Sequence, residues 1–313
     1  NRDRFMIATL IIKVLPLYLL ILIGYAAGRI NDIGVKPMAD FTIHYIAPFV
    51  LFSMAWQTDI QPGPAFRFIA FTAILTLLMA GAAYMFGRAF WGDKRTNLFS
   101  HQVLGSNSGY FGIPVVFALF ATDTANVWIL IMMVSTVLHT SLGYYILATG
   151  NLSAWDGLKK LLKLPLFHSM LWGLVFSFAG IPYPDGLLPT LDIFKGAYFV
   201  LGMAIIGLSI SRLKLQHFDG GYILQTLIWR FPVWTLAALG LIWADAMTLG
   251  WLSAEMQALI VLYSAMPLPA NSVAYAVQLN VHPERAASAV LASTMAALIY
   301  IPLIMTFYPA LLP

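Results

Sequence analysis

Apolar runs of roughly bilayer-spanning length fill this chain, at residues 6–27, 41–56, 68–91, 98–120, 127–148, 166–181, 193–210, 223–244, 256–279 and 286–308. A helix crosses the hydrocarbon with about 20 consecutive apolar residues, so the sequence predicts an all-α membrane protein with ten transmembrane helices. The second and sixth runs carry the weakest signal. Hydrophobic residues make up 60% of the 313 and charged residues only 10%, against roughly 25% charged residues in a soluble domain. The longest polar connection, 149–165, is short and itself amphipathic, so the function is expected in or at the bilayer. The first run is read as a span and not as a leader, being longer than a signal core and carrying Lys13 and Pro16. The chain has no cysteine, which excludes disulfides, thiol catalysis and thiolate metal ligands. No metal and no cofactor is expected.

The basic residues between the runs are unevenly placed. Arg29, Lys36, Arg88, Lys94, Arg95, Lys159, Lys160, Lys163, Arg212, Lys214 and Arg285 share one face. The opposite loops hold Arg67 and Lys195 together with Asp59, Asp123, Asp185, Asp192, Asp245 and Glu255. By the positive-inside rule the first face is cytoplasmic and both termini lie outside the cytoplasm, in a multi-pass plasma (inner) membrane protein. Arg2, Arg4 and Lys13 oppose that orientation and are outweighed. The pI of about 9.2 then follows from topology and anionic lipid, and no nucleic-acid partner is expected. Trp56, Trp91, Trp155, Trp243 and Trp251 fall at run ends, where an amphipathic indole belongs.

Five runs precede the basic loop at 151–165 and five follow it, so the halves 1–150 and 166–313 would enter the membrane from opposite sides as two inverted five-helix repeats, with 151–165 the cytoplasmic connection. Arg67-Phe68 and Arg230-Phe231 match as landmarks: Arg67 precedes Asn107 by 40 residues and Arg230 precedes Asn271 by 41.

Two runs are interrupted midway, the fourth by Asn107-Ser108-Gly109-Tyr110-Phe111-Gly112-Ile113-Pro114 and the ninth by Met266-Pro267-Leu268-Pro269-Ala270-Asn271. Lipid tolerates a broken helix only where protein or a water-filled cavity supplies partners for the freed N–H and C=O groups. Paired breaks in corresponding places of two chain halves mark the binding site of a transporter. If helices four and nine cross there, two half-helix N-termini converge, with Pro114 and either Pro267 or Pro269 suited to a first helical turn. Each N-terminus carries about half a positive charge, so an anion is the natural guest. Gly109 and Gly112 permit close backbone approach, and Asn107 and Asn271 offer amide donors. Asparagines in membrane helices also serve as helix-to-helix bonds worth ~0.6 kcal/mol; the ligand role is preferred because both coincide with breaks.

No Asp or Glu lies deep in any run, so coupling through a buried carboxylate is not evident. His44, His139 and His168 could handle a proton, although a single histidine on an apolar helix is more often a packing residue. Arg230 is the internal cation, either buried or snorkelling to the cytoplasmic surface. Gly24-Tyr25-Ala26-Ala27-Gly28 is a GxxxG pattern expected to pack helices.

Several motifs resemble the auxin efflux carrier family, which groups plant auxin carriers with bacterial organic-acid permeases in the bile acid/auxin transporter superfamily. They are Pro16-Leu17-Tyr18, Pro48, Arg67-Phe68, the spacing from Asn107 to Gly112-Ile113-Pro114, Phe199-Val200-Leu201-Gly202, Arg230-Phe231 and Asn280-Val281-His282-Pro283. The resemblance covers nearly the whole chain, and Met266-Pro267 with Asn271 is similar to the bacterial branch. It implies a fold similar to sodium/proton antiporters, with helices 1, 2, 6 and 7 as scaffold and helices 3–5 and 8–10 carrying the crossing pair. It implies a homodimer working by an elevator-like movement. The substrate carboxylate is then expected near the first crossover, with Asn107 the leading contact and Ala47, Pro48, Leu166 and His168 secondary candidates. Thr72 and Leu166 depart from the plant pattern, where an acidic residue and an asparagine are expected.

The expected function is secondary active transport of a small organic anion, a mono- or dicarboxylate, aromatic acids included. It would be driven by gradients, since no ATP-binding motif is present. The alternatives are a membrane sensor that binds without transport, and an intramembrane hydrolase using Ser106 or Ser108 with His139. The second lacks the G-x-S-x-G order around its serines.

Overall fold

The computed structural model describes residues 2–31, 33–148, 159, 162–163, 165–211 and 219–312. Most of the connecting segment 151–165, with Lys160, and the basic residues Arg212 and Lys214 lie outside the described residues. All regular structure among the described residues is helical. The helices are α1 (Arg2–Ile30), α2 (Val35–Trp56), α3 (Pro62–Phe90), α4 (Lys94–Leu104), α5 (Gly112–Leu119) and α6 (Thr122–Leu147). They are followed by α7 (Pro165–Phe178), α8 (Leu188–Ser211), α9 (Gly220–Met247), α10 (Ala254–Ser264), α11 (Asn271–Leu279) and α12 (Pro283–Phe307). Among the described residues, six helices are long and apolar enough to cross a membrane: α2, α3, α6, α9, α12 and the stretch Asp185–Leu208. Their outward faces stay apolar, as with Phe66, Ile74, Leu78 and Met85 on α3 and Met295, Ile299 and Leu303 on α12. A surface of that kind suits hydrocarbon and not water.

Three helices widen into π-turns, at Thr42–Ile46 in α2, His139–Gly143 in α6 and Trp229–Val233 in α9. The third encloses Pro232, which has no N–H to return to the preceding turn. A widened turn is one way a helix accommodates the missing bond.

The chain forms two compact units, one of Asn1–Pro62, Gly109–Met133 and Leu164–Lys214, the other of Gly63–Ser108, Val134–Lys163 and Leu215–Pro313. In the first, α1 and α8 meet along small residues. A β-carbon at Gly24 would run into the Ala204 carbonyl, one at Gly28 into Ser211, and one at Gly207 into the main chain of Ile21. The GxxxG pattern therefore packs helices, as its spacing suggested. Helix α7 lies on α2 the same way, with Gly173 against the Phe52 carbonyl, and the Trp56 indole N–H donates to Ile181 O at 2.7 Å.

In the second unit Asp93 caps α4, accepting the Arg95 N–H at 2.8 Å, and Asp219 caps α9, accepting the Tyr222 N–H at 3.0 Å. Asp245 closes α9 at the far end by accepting the Trp251 and Leu252 N–H groups at 3.0 and 3.1 Å. This buried acid has a structural task, and its place at a helix end agrees with the expectation that acids avoid mid-membrane positions.

Candidate functional site

Helix α4 stops at Leu104 and helical structure resumes only at Gly112. Likewise α10 stops at Ser264 and α11 begins at Asn271. Each interruption frees main-chain groups that must find partners away from water. The second unit supplies many of them. Asn107 donates its main-chain N–H to Pro267 O at 2.9 Å, which joins the two interruptions directly. Leu268 N–H is accepted by Ser293 Oγ at 3.1 Å. Trp234 donates its indole N–H to Val103 O at 2.9 Å, at the C-terminal end of α4. Arg230 donates from Nε to Met266 O at 2.6 Å and from one terminal nitrogen to Tyr263 O at 2.8 Å, at the C-terminal end of α10.

Arg230 and Trp234 are four residues apart, so one face of α9 serves the ends of both half-helices. Arg230 is wholly buried, its guanidinium carbon 4.7 Å from the Trp234 ring centre and 5.7 Å from that of Tyr263. Its other terminal nitrogen has no hydrogen-bond partner. Asp93 pairs with Arg95 and Asp219 with Arg285, and among the described residues no carboxylate is found paired with Arg230. Of the two placements open from sequence, the buried one is found, and the snorkelling one is not.

Buried Gln102, one turn before the first interruption, donates to Ser272 Oγ at 3.2 Å and Ala286 O at 3.1 Å and accepts from the Tyr222 hydroxyl at 2.8 Å. It links α4, α9, α11 and α12. Sequence reasoning passed over Gln102, Trp234 and Ser293 because their partners are distant in the chain. It also passed over His101. The His101 and His139 rings stack at 4.2 Å between centres and 28° between planes.

The expected site residues divide between the units. In the second, Asn107 is buried beside Pro267 and Met266, whereas Asn271 opens α11 and is exposed. In the first, Gly109 lies near the Tyr198 hydroxyl and Met132, and Tyr110 stacks on Tyr198 at 6.0 Å while donating to Ala39 O at 3.3 Å. Gly112 faces the Trp128 indole, which a β-carbon would meet at 2.9 Å. Ile113 and Pro114 are buried, Pro114 within the first turn of α5, as expected. Pro267 and Pro269 instead precede α11, because each proline biases the residue before it toward extended backbone and so delays the helix to Asn271. Ala47 is buried and Leu166 half-buried. Pro48 and His168 share an open aromatic-walled groove of about 730 Å³ with Phe49 and Trp172. In the second unit a cavity of about 440 Å³ is lined by Leu77, Tyr84, Asn97 and Tyr145, away from the interruptions.

The Asn280-Val281-His282-Pro283 motif makes a tight connection between α11 and α12, with Asn280 at φ 52° and His282 at φ 44°. His282 Nδ1 accepts from Arg285 at 2.8 Å, and Arg285 also pairs with Asp219 at 2.8 Å. Burial, with Arg285 adding to it, holds the His282 imidazole below its ordinary pKa. The Tyr222 N–H and then Arg285 hold the Asp219 carboxyl below its own.

No family model matches the chain. It is 26% identical over 220 residues, 65% of its length and 69% of the other's, to a protein of Methanothermobacter thermautotrophicus described as an uncharacterized transporter. With its long apolar helices, this similarity supports a multi-pass helical membrane protein of transporter type.

Proposed function

We propose that the chain is a secondary active transporter of the auxin efflux carrier family, bacterial branch, moving a small mono- or dicarboxylate by elevator-like alternating access. The observation that carries this reading is Arg230, a fully buried guanidinium at the joined interruptions with one nitrogen unpartnered and, among the described residues, no carboxylate paired with it. A charge left unmatched inside a membrane protein is costly and marks a functional path. A substrate carboxylate drawn toward that positive field would meet the amide of Asn107. On this reading α4 with α5 and α10 with α11 would each count as one broken span, for ten passes in two inverted halves, and the protein would be an inner-membrane homodimer with its termini outside the cytoplasm.

The test is uptake of labelled malate, malonate, succinate, benzoate and indole-3-acetate into proteoliposomes, with the Asn107→Ala protein in parallel. Saturable uptake of one class, reduced at least tenfold in the variant, supports the proposal. Binding without uptake turns it toward a sensor.

A further inference from the structure

We infer that His101 and His139 together bind the single proton that is coupled to anion transport, an inference that rests on the transport reading above. The two residues lie on α4 and α6, and the fold stacks their rings at 4.2 Å with both side chains buried. Two imidazolium ions at that separation, away from water, repel too strongly to coexist, so the pair holds one proton at most.

Its position ties that proton to the interruptions. Gly105 is the residue at which α4 ends. A β-carbon there would lie 2.8 Å from His139 Nε2 and 2.7 Å from Pro269 Cγ, so the imidazole edge sits where both interrupted segments pass. On the other ring, His101 Nδ1 faces Gly143, where a β-carbon would come within 3.1 Å. Both His139 and Gly143 belong to the π-turn of α6, a distortion that recurs at functional sites and here has no proline to require it.

Around the pair, Tyr275 of α11 packs on both rings at 5.7 and 5.8 Å, with Tyr144 behind it at 5.2 Å. Among the described residues, the titratable side chains whose rings pack on His139 are His101 and Tyr275. A histidine kept for packing satisfies its ring nitrogens, but His139 Nε2 is buried with no hydrogen-bond partner. With Asp245 committed to its helix end, histidine is the side chain whose ordinary titration range suits a reversible proton.

When the interruption opens to water, Nε2 of His139 takes a proton, forming one N–H bond, and releases it to water on the other side. The positive charge lies beside the segment that receives the carboxylate, so proton and anion bind more tightly together than apart. The direction of coupling is symport.

The experiment compares wild type with His101→Gln and His139→Gln in proteoliposomes, using the same five acids. Two modes are read: uptake with an inward proton gradient, and exchange at equal pH. The expected result is at least fivefold stimulation by the gradient in wild type, lost in both variants while exchange persists. Stimulation that survives in both variants, or a wild type indifferent to the gradient, overturns the inference and leaves transport standing. If wild type moves none of the acids, transport itself fails, and a ¹⁵N-histidine NMR titration of wild type in nanodiscs decides the site. One proton shared by the pair sustains it; two independent titrations, or none, refute it.

Discussion

Arg230 holds the main-chain carbonyl of Met266 at 2.6 Å from its Nε, at the point where the second interrupted helix leaves helical geometry. With the second bond, to Tyr263 O, one side chain caps the C-terminal end of α10. Charge-assisted bonds of this kind are worth ~1.5–3 kcal/mol each. Arg230→Ala should therefore lower the detergent melting temperature by at least ~5 °C, and Arg230→Lys, which cannot span both carbonyls as a fork, should fall between. A melting temperature within a degree of wild type in the alanine variant would show that α10 is capped by something else.

Glycine substitutions should separate packing from flexibility. At Gly207 a β-carbon would strike the Ile21 main chain, whereas at Gly81 on α3 nothing lies within 4 Å. Gly207→Ala must push α1 from α8 and should reduce thermal stability. Gly81→Ala removes backbone freedom from the unfolded chain and should stabilise by ~0.5–1 kcal/mol. Thermal shift on both proteins checks the pair of signs; a shared sign would contradict the close α1–α8 contact.

Both interruptions were legible in the sequence because glycine, proline and asparagine cluster there within a few residues of otherwise apolar runs, whereas an isolated proline such as Pro232 stays inside its helix. The Gly24–Gly28 contact was legible for a similar reason, since small residues four apart serve close helix approach. What satisfies the broken backbone was not legible. Arg230, Trp234 and Ser293 reach carbonyls and amides at sequence separations of 36, 131 and 25 residues, and no local pattern encodes such a partner. The histidine pair was half legible: His139 stood out, but single histidines usually pack, and only the fold brings His101 to it. The positions of Pro267 and Pro269 differ from expectation: Pro269 stands just before the helix, its carbonyl accepting the Ser272 N–H at 3.0 Å, and α11 begins at Asn271.

Acid should destabilise the protein in a window set by His282. Its imidazole is held below the ordinary value near 6.5, so the native state binds fewer protons than the unfolded state as pH falls. The associated stability is present above about pH 6.5 and is lost as pH drops through the native value. Asp219, also held low, adds a loss beginning only below about pH 4. His282→Asn keeps an acceptor for Arg285 and tolerates the positive φ, yet cannot titrate. Melting temperature followed from pH 7.5 to 5 should fall less for this variant than for wild type, and parallel curves would remove His282 as the cause.

If a positive field selects the substrate, charge and not shape alone should decide binding. Arg230 is buried with no carboxylate neighbour among the described residues, and Asn107 lies in the interruption joined to Pro267. A carboxylate gains from both features. The corresponding primary amide keeps nearly the same outline and loses the charge, so it should bind at least tenfold more weakly than the acid, a difference of about 1.4 kcal/mol or more. Methyl esters should do no better, since they also lose an acceptor of full negative charge. Competition of acid, amide and ester against the labelled substrate in proteoliposomes measures this directly. Equal inhibition by the neutral analogues would mean that the interruptions recognise an apolar body, and the anion reading would have to be given up even if transport itself were established.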